Sequence, residues 1–356
     1  MNGPGNIVAF ATSGIGVSLK AQIELTEMPN PFHPALPDMV ITSLDENGFS
    51  IQSSGKGFRA EDRLLSAYGE IIERFLMFKR GPDLVTSYTG QKDVLSPELF
   101  CPEFPVDRQV VEWIKVKRAD GPRKSYFVHR PIRHSLMPKF YRHNSNGCAV
   151  GKGSVDATAR ARSEILERHN FLSAWYFQNL CIAESDSFLV EELLILEQGW
   201  EVFKFHIKSQ QNKGTSCVVL VNREDPRFEL GGGILGLAYG KSAKAEKSAL
   251  SECLQALEVL LLTGSVDKSL AFYLKRQDGG QLLLDFLLTP RLRQSELVLG
   301  KEYCALKQTN FPIPWYAEYF IENSLPHQLD QSTRARLPES ERFKIIDRKG
   351  IPVPIG

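Results

Sequence analysis

The chain has 356 residues, of which 42% are apolar and 24% charged, the balance of a globular protein, so disordered, collagen-like and coiled-coil architectures are excluded. Forty-three Lys and Arg residues face forty-two Asp and Glu, and a formal net charge of +1 gives no long-range field for nucleic acid. No apolar run reaches the roughly 18 to 20 residues of a membrane span, and no positive segment precedes an apolar core at the N-terminus, so the chain reads as cytoplasmic, with neither nucleic acid nor membrane as partner.

Taken in chain order, VITSL and GFSIQSS read as short strands, rich in β-branched residues. The stretch Ala60 to Lys79 reads as a helix, with apolar Leu64, Leu65, Tyr68, Ile71, Ile72 and Phe75 at helical spacing. VVEWIKVKRA and SYFVHRPI are again strands, and a longer helix is expected from Val155 to Phe177. WEVFKFHI and TSCVVLVN follow as strands, then the apolar, glycine-rich ELGGGILGLAYG, then a third helix from Ala243 to Leu262. No Ser/Gly/Pro linker interrupts the series. The expected fold class is α/β (mixed α+β), as one domain over 1–356 with a peripheral insertion at about 83–118.

Several apparent motifs carry nothing. Gly231, Gly233 and Gly236 satisfy GxGxxG, but the segment is strand-like and no helix opens within it, so a dinucleotide fingerprint is not expected. Gly240-Lys241-Ser242 resembles the end of a P-loop, yet the preceding glycine, Gly236, stands one residue too close. The cysteines, Cys101, Cys148, Cys181, Cys217, Cys253 and Cys304, form no CxxC pair and read as buried or partly buried thiols. The seven histidines show no HxH or HxxxH pairing, and His169 and His206 read as packed or solvent-facing.

The three helices resemble one another. Each follows a Gly-Lys turn: Gly55-Lys56-Gly57, Gly151-Lys152-Gly153 and Gly240-Lys241-Ser242. Each then carries an acid and, three positions on, an acid or its amide: Glu70 and Glu73, Glu164 and Glu167, Glu252 and Gln255. Residues i and i+3 share a helix face, and the residue one turn earlier joins them: Ser66, Arg160 and Ser248. If the three helices converge, five carboxylates and a glutamine meet. Like charges share a buried site only with compensation, and a divalent cation with oxygen ligands compensates most cheaply. Mg²⁺ is commonly held by one or two carboxylates plus substrate phosphates, so the pattern suggests a nucleotide site without a Walker motif. Read singly, EIIER and EILER also suit a solvated helix face, and an old triplication kept as scaffold would show the same repeat.

The segments SSGKGFRAEDRLLSAYGEIIER (Ser53 to Arg74), SNGCAVGKGSVDATARARSEILER (Ser145 to Arg168) and GLAYGKSAKAEKSALSECLQ (Gly236 to Gln255), with a proline-bearing tail, resemble the YcaO superfamily. The resemblance implies ATP and Mg²⁺ as cofactors and chemistry on a peptide-backbone amide. In the azoline-forming branch, a Cys, Ser or Thr side chain adds to the preceding carbonyl, the oxygen is phosphorylated, and phosphate leaves. Matched residue by residue, Ser66, Glu70, Glu73, Glu164, Glu167, Arg168, Glu252 and Gln255 fall on the nucleotide motifs. Glu70, Glu73, Glu164, Glu167 and Glu252 are then expected on Mg²⁺, with Arg168 and Lys56 on phosphate. Lys152 replaces the usual Asn, and an ammonium suits phosphate rather than a metal. Asp156 replaces the usual Glu. Ser248 replaces an Arg, whose charge Lys152, Lys244 or Lys247 would have to supply. Pro352, Pro354 and Gly356 are expected to deliver a terminal carboxylate to the site as general base, although Gly356 stands where the family commonly has a last proline.

The implied activity is an ATP-dependent cyclodehydratase, or heterocyclase, acting on a ribosomally made precursor peptide in bacteriocin-like azole biosynthesis. The chain accommodates little beyond the YcaO domain, so an E1-like, leader-peptide-binding partner is expected, with a flavin-dependent dehydrogenase acting on the azoline and room for a homodimer. Thioamide or amidine formation at the same ATP site, or a non-catalytic scaffold role, are the alternatives.

Overall fold

The computed structural model describes residues 7–12, 19–46, 49–79, 82–87, 93–96, 99–100, 110–121, 124–129, 146–177, 182–184, 191–264, 268–288 and 298–324. In chain order the elements are β1 (Ile7–Thr12), β2 (Leu19–Met28), β3 (Met39–Glu46), β4 (Phe49–Ser54), α1 (Ala60–Lys79), β5 (Leu84–Ser87), β6 (Val110–Arg118), β7 (Ser125–His129), β8 (Cys148–Gly151) and α2 (Ser154–Phe177). There follow β9 (Ile182–Glu184), α3 (Glu192–Leu196), β10 (Trp200–Ile207), β11 (Thr215–Asn222), β12 (Gly233–Tyr239), α4 (Ala243–Thr263), α5 (Lys268–Leu274), α6 (Gly279–Leu288), β13 (Glu302–Gln308) and β14 (Trp315–Ile321).

Three antiparallel sheets result. The first runs β1-β2-β3-β4, the second β12-β11-β10-β9, and the third β5-β6-β13-β14-β8 with β7 also on β6. Thus β4, β12 and β8, the three strands that lead into the Gly-Lys turns, are all sheet edges. The stretch expected as a peripheral insertion supplies β5 and β6 to the third sheet, where Tyr303 and Cys304 of β13 pair with Arg118 and Lys117. The strand expected over SYFVHRPI is described as far as His129.

Helices fill the spaces between sheets. Alternation along β8 sends Cys148 and Val150 to one face, where they pack with Ile71, Ile72 and Phe75 of α1. Ala149 goes to the other face, with Ala157, Ala161, Ile165 and Leu166 of α2. The second sheet is likewise covered twice: Phe171, Leu172 and Trp175 of α2 meet Cys217, Val219 and Leu237. On its far face, Ala249, Cys253 and Leu257 of α4 meet Val218, Leu220 and Ile234. Cover on both faces explains why every residue of β11 is buried, and why its centre, CVVLV, is apolar without alternation. α4 begins at Ser242, whose hydroxyl accepts from the Ala245 N–H, and ends at Gly264, whose φ of 67° closes the helix with a bond to the Leu260 carbonyl.

Gly55 and Gly151 each sit where the first turn of the following helix folds back on the entering strand. A Cβ on Gly55 would lie 1.9 Å from the Arg63 carbonyl oxygen, and one on Gly151 would lie 2.4 Å from the Ala157 nitrogen. Gly236, the last glycine of the apparent GxGxxG, lies within β12 under α4, where a Cβ would meet the Ala249 carbonyl oxygen at 2.0 Å. It serves helix–strand packing, and no helix opens at it. Cys148, Cys217, Cys253 and Cys304 are free thiols, and Cys101 and Cys181 lie outside the described residues. His169 and His206 are both buried; burial alone pushes His169 down to about 4. Among the described residues no helix is long and apolar enough to cross a membrane.

Candidate functional site

Because α1 and α2 lie on opposite faces of the third sheet, they meet only past its edge, β8. By the same geometry α2 and α4 meet past β12. An edge strand presents unpaired N–H groups, and here they turn toward carboxylates. The Leu237 N–H donates to Glu252 at 2.8 Å, the Tyr239 backbone bonds Glu167, and the Gly147 backbone bonds Glu164.

The acids from all three helices thereby fall within electrostatic reach of one another. Burial first, then Glu164 and Glu70, raises Glu73 well above the usual carboxylate range. Burial also raises Glu164 to about 8, opposed by the Arg168 guanidinium and reinforced by Glu167. Glu167 rises to about 7 through burial and then through Glu252. Lys56 is held above its ordinary value chiefly by Glu252, then by Glu167 and Glu70. Five acids therefore surround three bases, Lys56, Arg74 and Arg168. Burial first, and the neighbouring carboxylates second, holds Glu73, Glu164 and Glu167 above the ordinary carboxylate range.

Beside this cluster lies a cleft of about 410 Å³, a volume suited to a small-molecule ligand. Its polar lining comes from Ser54, Glu70, Arg74, Arg168, Glu252 and Gln255, and its apolar lining from Met39, Ile41, Leu235, Val259 and Leu270. Arg168 stands 3.9 Å from both Glu167 and Glu252, and its buried Nε has no hydrogen-bond partner. Gln255 donates through Nε2 to the Ser54 carbonyl at 2.5 Å and to the Ser54 hydroxyl at 3.0 Å, fastening α4 to the strand end before Lys56.

Not every expected residue comes to the cleft. Lys152 has an exposed side chain, and its backbone N–H donates to Asp156 at 3.2 Å. Asp156 also accepts from Arg160 at 2.9 Å, so it closes the first turn of α2. Ser66 is half-buried on α1, one turn before Glu70. Lys247 pairs with Glu191 and lies over the Phe58 ring, 5.0 Å from its centroid. Among the expected residues, Arg168 and Lys56 are the cations that face the acids. Pro352, Pro354 and Gly356 lie outside the described residues.

Arg74 was not among the expected site residues. It lines the cleft, pairs with Glu70 and donates to the Gln52 carbonyl at 2.8 Å. The internal comparison carried the signal: Glu70-Glu73-Arg74 matches Glu164-Glu167-Arg168 position for position.

Among the described residues no three His, Cys, Asp or Glu side chains are placed to hold a metal ion by themselves. The donor set nevertheless fits Mg²⁺ that keeps one or two carboxylates and completes its shell with phosphate and water. The raised acids and the unpartnered Arg168 Nε are the observations that bear on this fit. The acids outnumber the cations that face them, and the Arg168 Nε–H has no acceptor within hydrogen-bond distance.

The sequence profile described as YcaO cyclodehydratase, ATP- and Mg²⁺-binding, matches residues 54–301. The chain belongs to the YcaO family. Three solved structures share its fold. A heterocyclase in complex with substrate and cofactor has a TM-score of 0.70 at 15% identity, covering 94% of this chain; the chain spans 55% of that protein's length. YcaO from Methanopyrus kandleri, bound with AMPPCP and Mg²⁺, has a TM-score of 0.59 at 16% identity over 83% of this chain and 84% of its own. A chain of the E. coli microcin synthetase McbBCD complex gives 0.65 at 14% identity, over 98% and 100%. No curated protein sequence matches.

Proposed function

We propose that this chain is an ATP-dependent cyclodehydratase that converts Cys, Ser or Thr of a ribosomally made precursor peptide to an azoline. The observation that carries the reading is the gathering of Glu70, Glu73, Glu164, Glu167 and Glu252 from three helices around Lys56 and Arg168. Family membership supports it, as does the likeness to a microcin synthetase complex with pro-MccB17 bound (TM-score 0.63, 14% identity).

Mg²⁺, when bound, supplies positive charge to phosphate oxygens, and the five glutamates are the residues that would hold it. Glu252 and Glu167 are already aimed by backbone donors, so they need not reorganise on binding. Arg168 offers its unpartnered Nε to a phosphate oxygen, and Lys56 adds a second fixed cation. An amide oxygen is a poor leaving group. Once the side-chain nucleophile has added to the carbonyl, transfer of the γ-phosphoryl to that oxygen lets it depart as phosphate, with ADP as the other product. A precursor peptide and a leader-binding subunit are the partners this reading calls for, and a flavin-dependent dehydrogenase would act on the azoline afterwards.

The test is incubation of the chain with its precursor, partner subunit, ATP and Mg²⁺. Mass spectrometry should show loss of one water per ring with matching ADP release. ADP release without water loss, or sulfur incorporation when sulfide is supplied, would overturn azoline formation; no ATP binding in the presence of Mg²⁺ would overturn the nucleotide site itself.

A further inference from the structure

Among the described residues, the most deeply buried charge pair outside this cluster joins α1 to α4. Arg63, in the first turn of α1, and Glu258, in the second half of α4, are both almost fully buried. They form a two-armed pair, Nη1 to Oε2 at 2.7 Å and Nη2 to Oε1 at 2.8 Å. Asn30, in the loop after β2, donates to the same Oε1 at 2.7 Å. The third arm of the guanidinium matters most. Arg63 Nε donates to the Gly57 carbonyl at 2.8 Å, and the Arg63 carbonyl lies so close to Gly55 that no side chain fits there. The two neighbours of Lys56 are therefore both held against Arg63. One turn earlier on α4, Gln255 holds Ser54. From Ser54 to Gly57 the loop has only Lys56 reaching away from its anchors, toward Glu252, Glu167 and Glu70.

We propose that Arg63, locked by Glu258, is a positioning residue that fixes the Lys56 loop against α4 and so sets where the Lys56 ammonium meets the phosphates of a nucleotide. This rests on the nucleotide reading of the site. Planarity decides the choice of residue: a guanidinium spans a carboxylate with two arms and a carbonyl with the third, whereas an ammonium is a point charge with no fixed fork.

Arg63→Lys keeps the charge opposite Glu258 and removes the fork; Glu258→Asp keeps the fork but draws it one methylene toward α4, and serves if the first variant folds poorly. In hydrogen exchange on the full chain without ligand, the amides of residues 55–58 should exchange at least about tenfold faster in either variant, with β10 and β11 unchanged. Unchanged exchange at 55–58 overturns the clamp, whatever the chain binds. With ATP and Mg²⁺ as the calorimetric probe, Arg63→Lys should weaken binding about 10- to 100-fold. Lys56→Met should do the same, and the double variant should be no worse than Lys56→Met alone. Losses that simply add would show that Arg63 does not act through Lys56. Wild-type protein that binds no ATP with Mg²⁺ overturns the proposed function instead, and the clamp then stands or falls on exchange.

Discussion

Two groups of buried charge lie along α1 and α4, the second drawing also on α2, and they are built differently. Around Glu258 each short contact is made: both guanidinium arms and the Asn30 amide lie at 2.7 to 2.8 Å. Around Arg168 the carboxylates stand off at 3.9 Å, one donor is unpartnered, and the acids are pushed toward protonation. The first group is neutral in sum and closed. The second carries surplus negative charge and open bonding positions. A fold that can finish one buried pair about two helical turns from another cluster leaves the second unfinished for something that arrives later.

The largest effect that would break this contrast is on the closed side. Glu258→Ala strands the Arg63 charge in the interior and should cost about 3–5 kcal/mol, read as a lower urea midpoint. A loss under about 1 kcal/mol would mean that water reaches Arg63 freely. On the open side the signs separate. Glu167→Gln should lower ATP turnover at least about 100-fold while leaving the urea midpoint unchanged or raised, because it removes a buried like charge. A drop in stability comparable to that of Glu258→Ala would place Glu167 in a closed structural network.

The pH dependence sharpens the same comparison. Glu164 and Glu167 rise from an ordinary 4.5 to about 8 and about 7 in the fold. Unfolded, they release their protons first. Their contribution to stability is thus fully present below about pH 4.5 and is lost as pH rises through 7 and 8. Asp225 and Glu302, lowered by Arg227 and Arg162, work in the opposite direction, so the wild-type curve alone is a sum. Urea midpoints of wild type and Glu167→Gln should coincide below about pH 4 and diverge toward about pH 8, with the variant the more stable. Binding of ATP with Mg²⁺ near neutral pH should release protons, seen as an enthalpy that changes with the buffer's ionisation heat. The smallest effect is expected at Lys152→Asn, where the exposed side chain lies outside the cleft lining. ATP affinity should change by less than about twofold, within the range of surface substitutions, and a tenfold loss would bring that turn over the cleft.

The three helices that carry the acids were legible because each combines a long apolar period with a glycine turn; α1 and α2 fall within a residue of expectation. Strands β13 and β14 escaped, since EYCALKQ mixes burial with exposure and WYAEYFI carries an acid, Glu318, at a buried position. Strand β8 is four residues, all buried, with nothing local to mark it. α6 opens on two glycines, which locally argue against a helix. In the site, the repeated Glu spacing identified the acids and, read one position further, would have yielded Arg74. The Arg63–Glu258–Asn30 network was illegible, because its partners have no shared local pattern. Nor could spacing reveal that Lys152 points to solvent while Lys56 points inward, since both follow the same Gly-Lys turn.

The bonds that join α4 to the first part of the chain have a consequence for the order in which the molecule assembles. Gln255 and Ser54 are 201 positions apart, Arg63 and Glu258 are 195, and Asn30 and Glu258 are 228. Contacts of such separation close loops at a high entropic cost and form late. During synthesis the Lys56 loop and the acids of α1 and α2 leave the ribosome long before α4 does. Until then Arg63 is an unpaired cation and Glu252 does not exist. The cleft is consequently a property of the nearly finished chain, and a nascent or truncated product ending before α4 holds two of the three helices without the wall that completes the site.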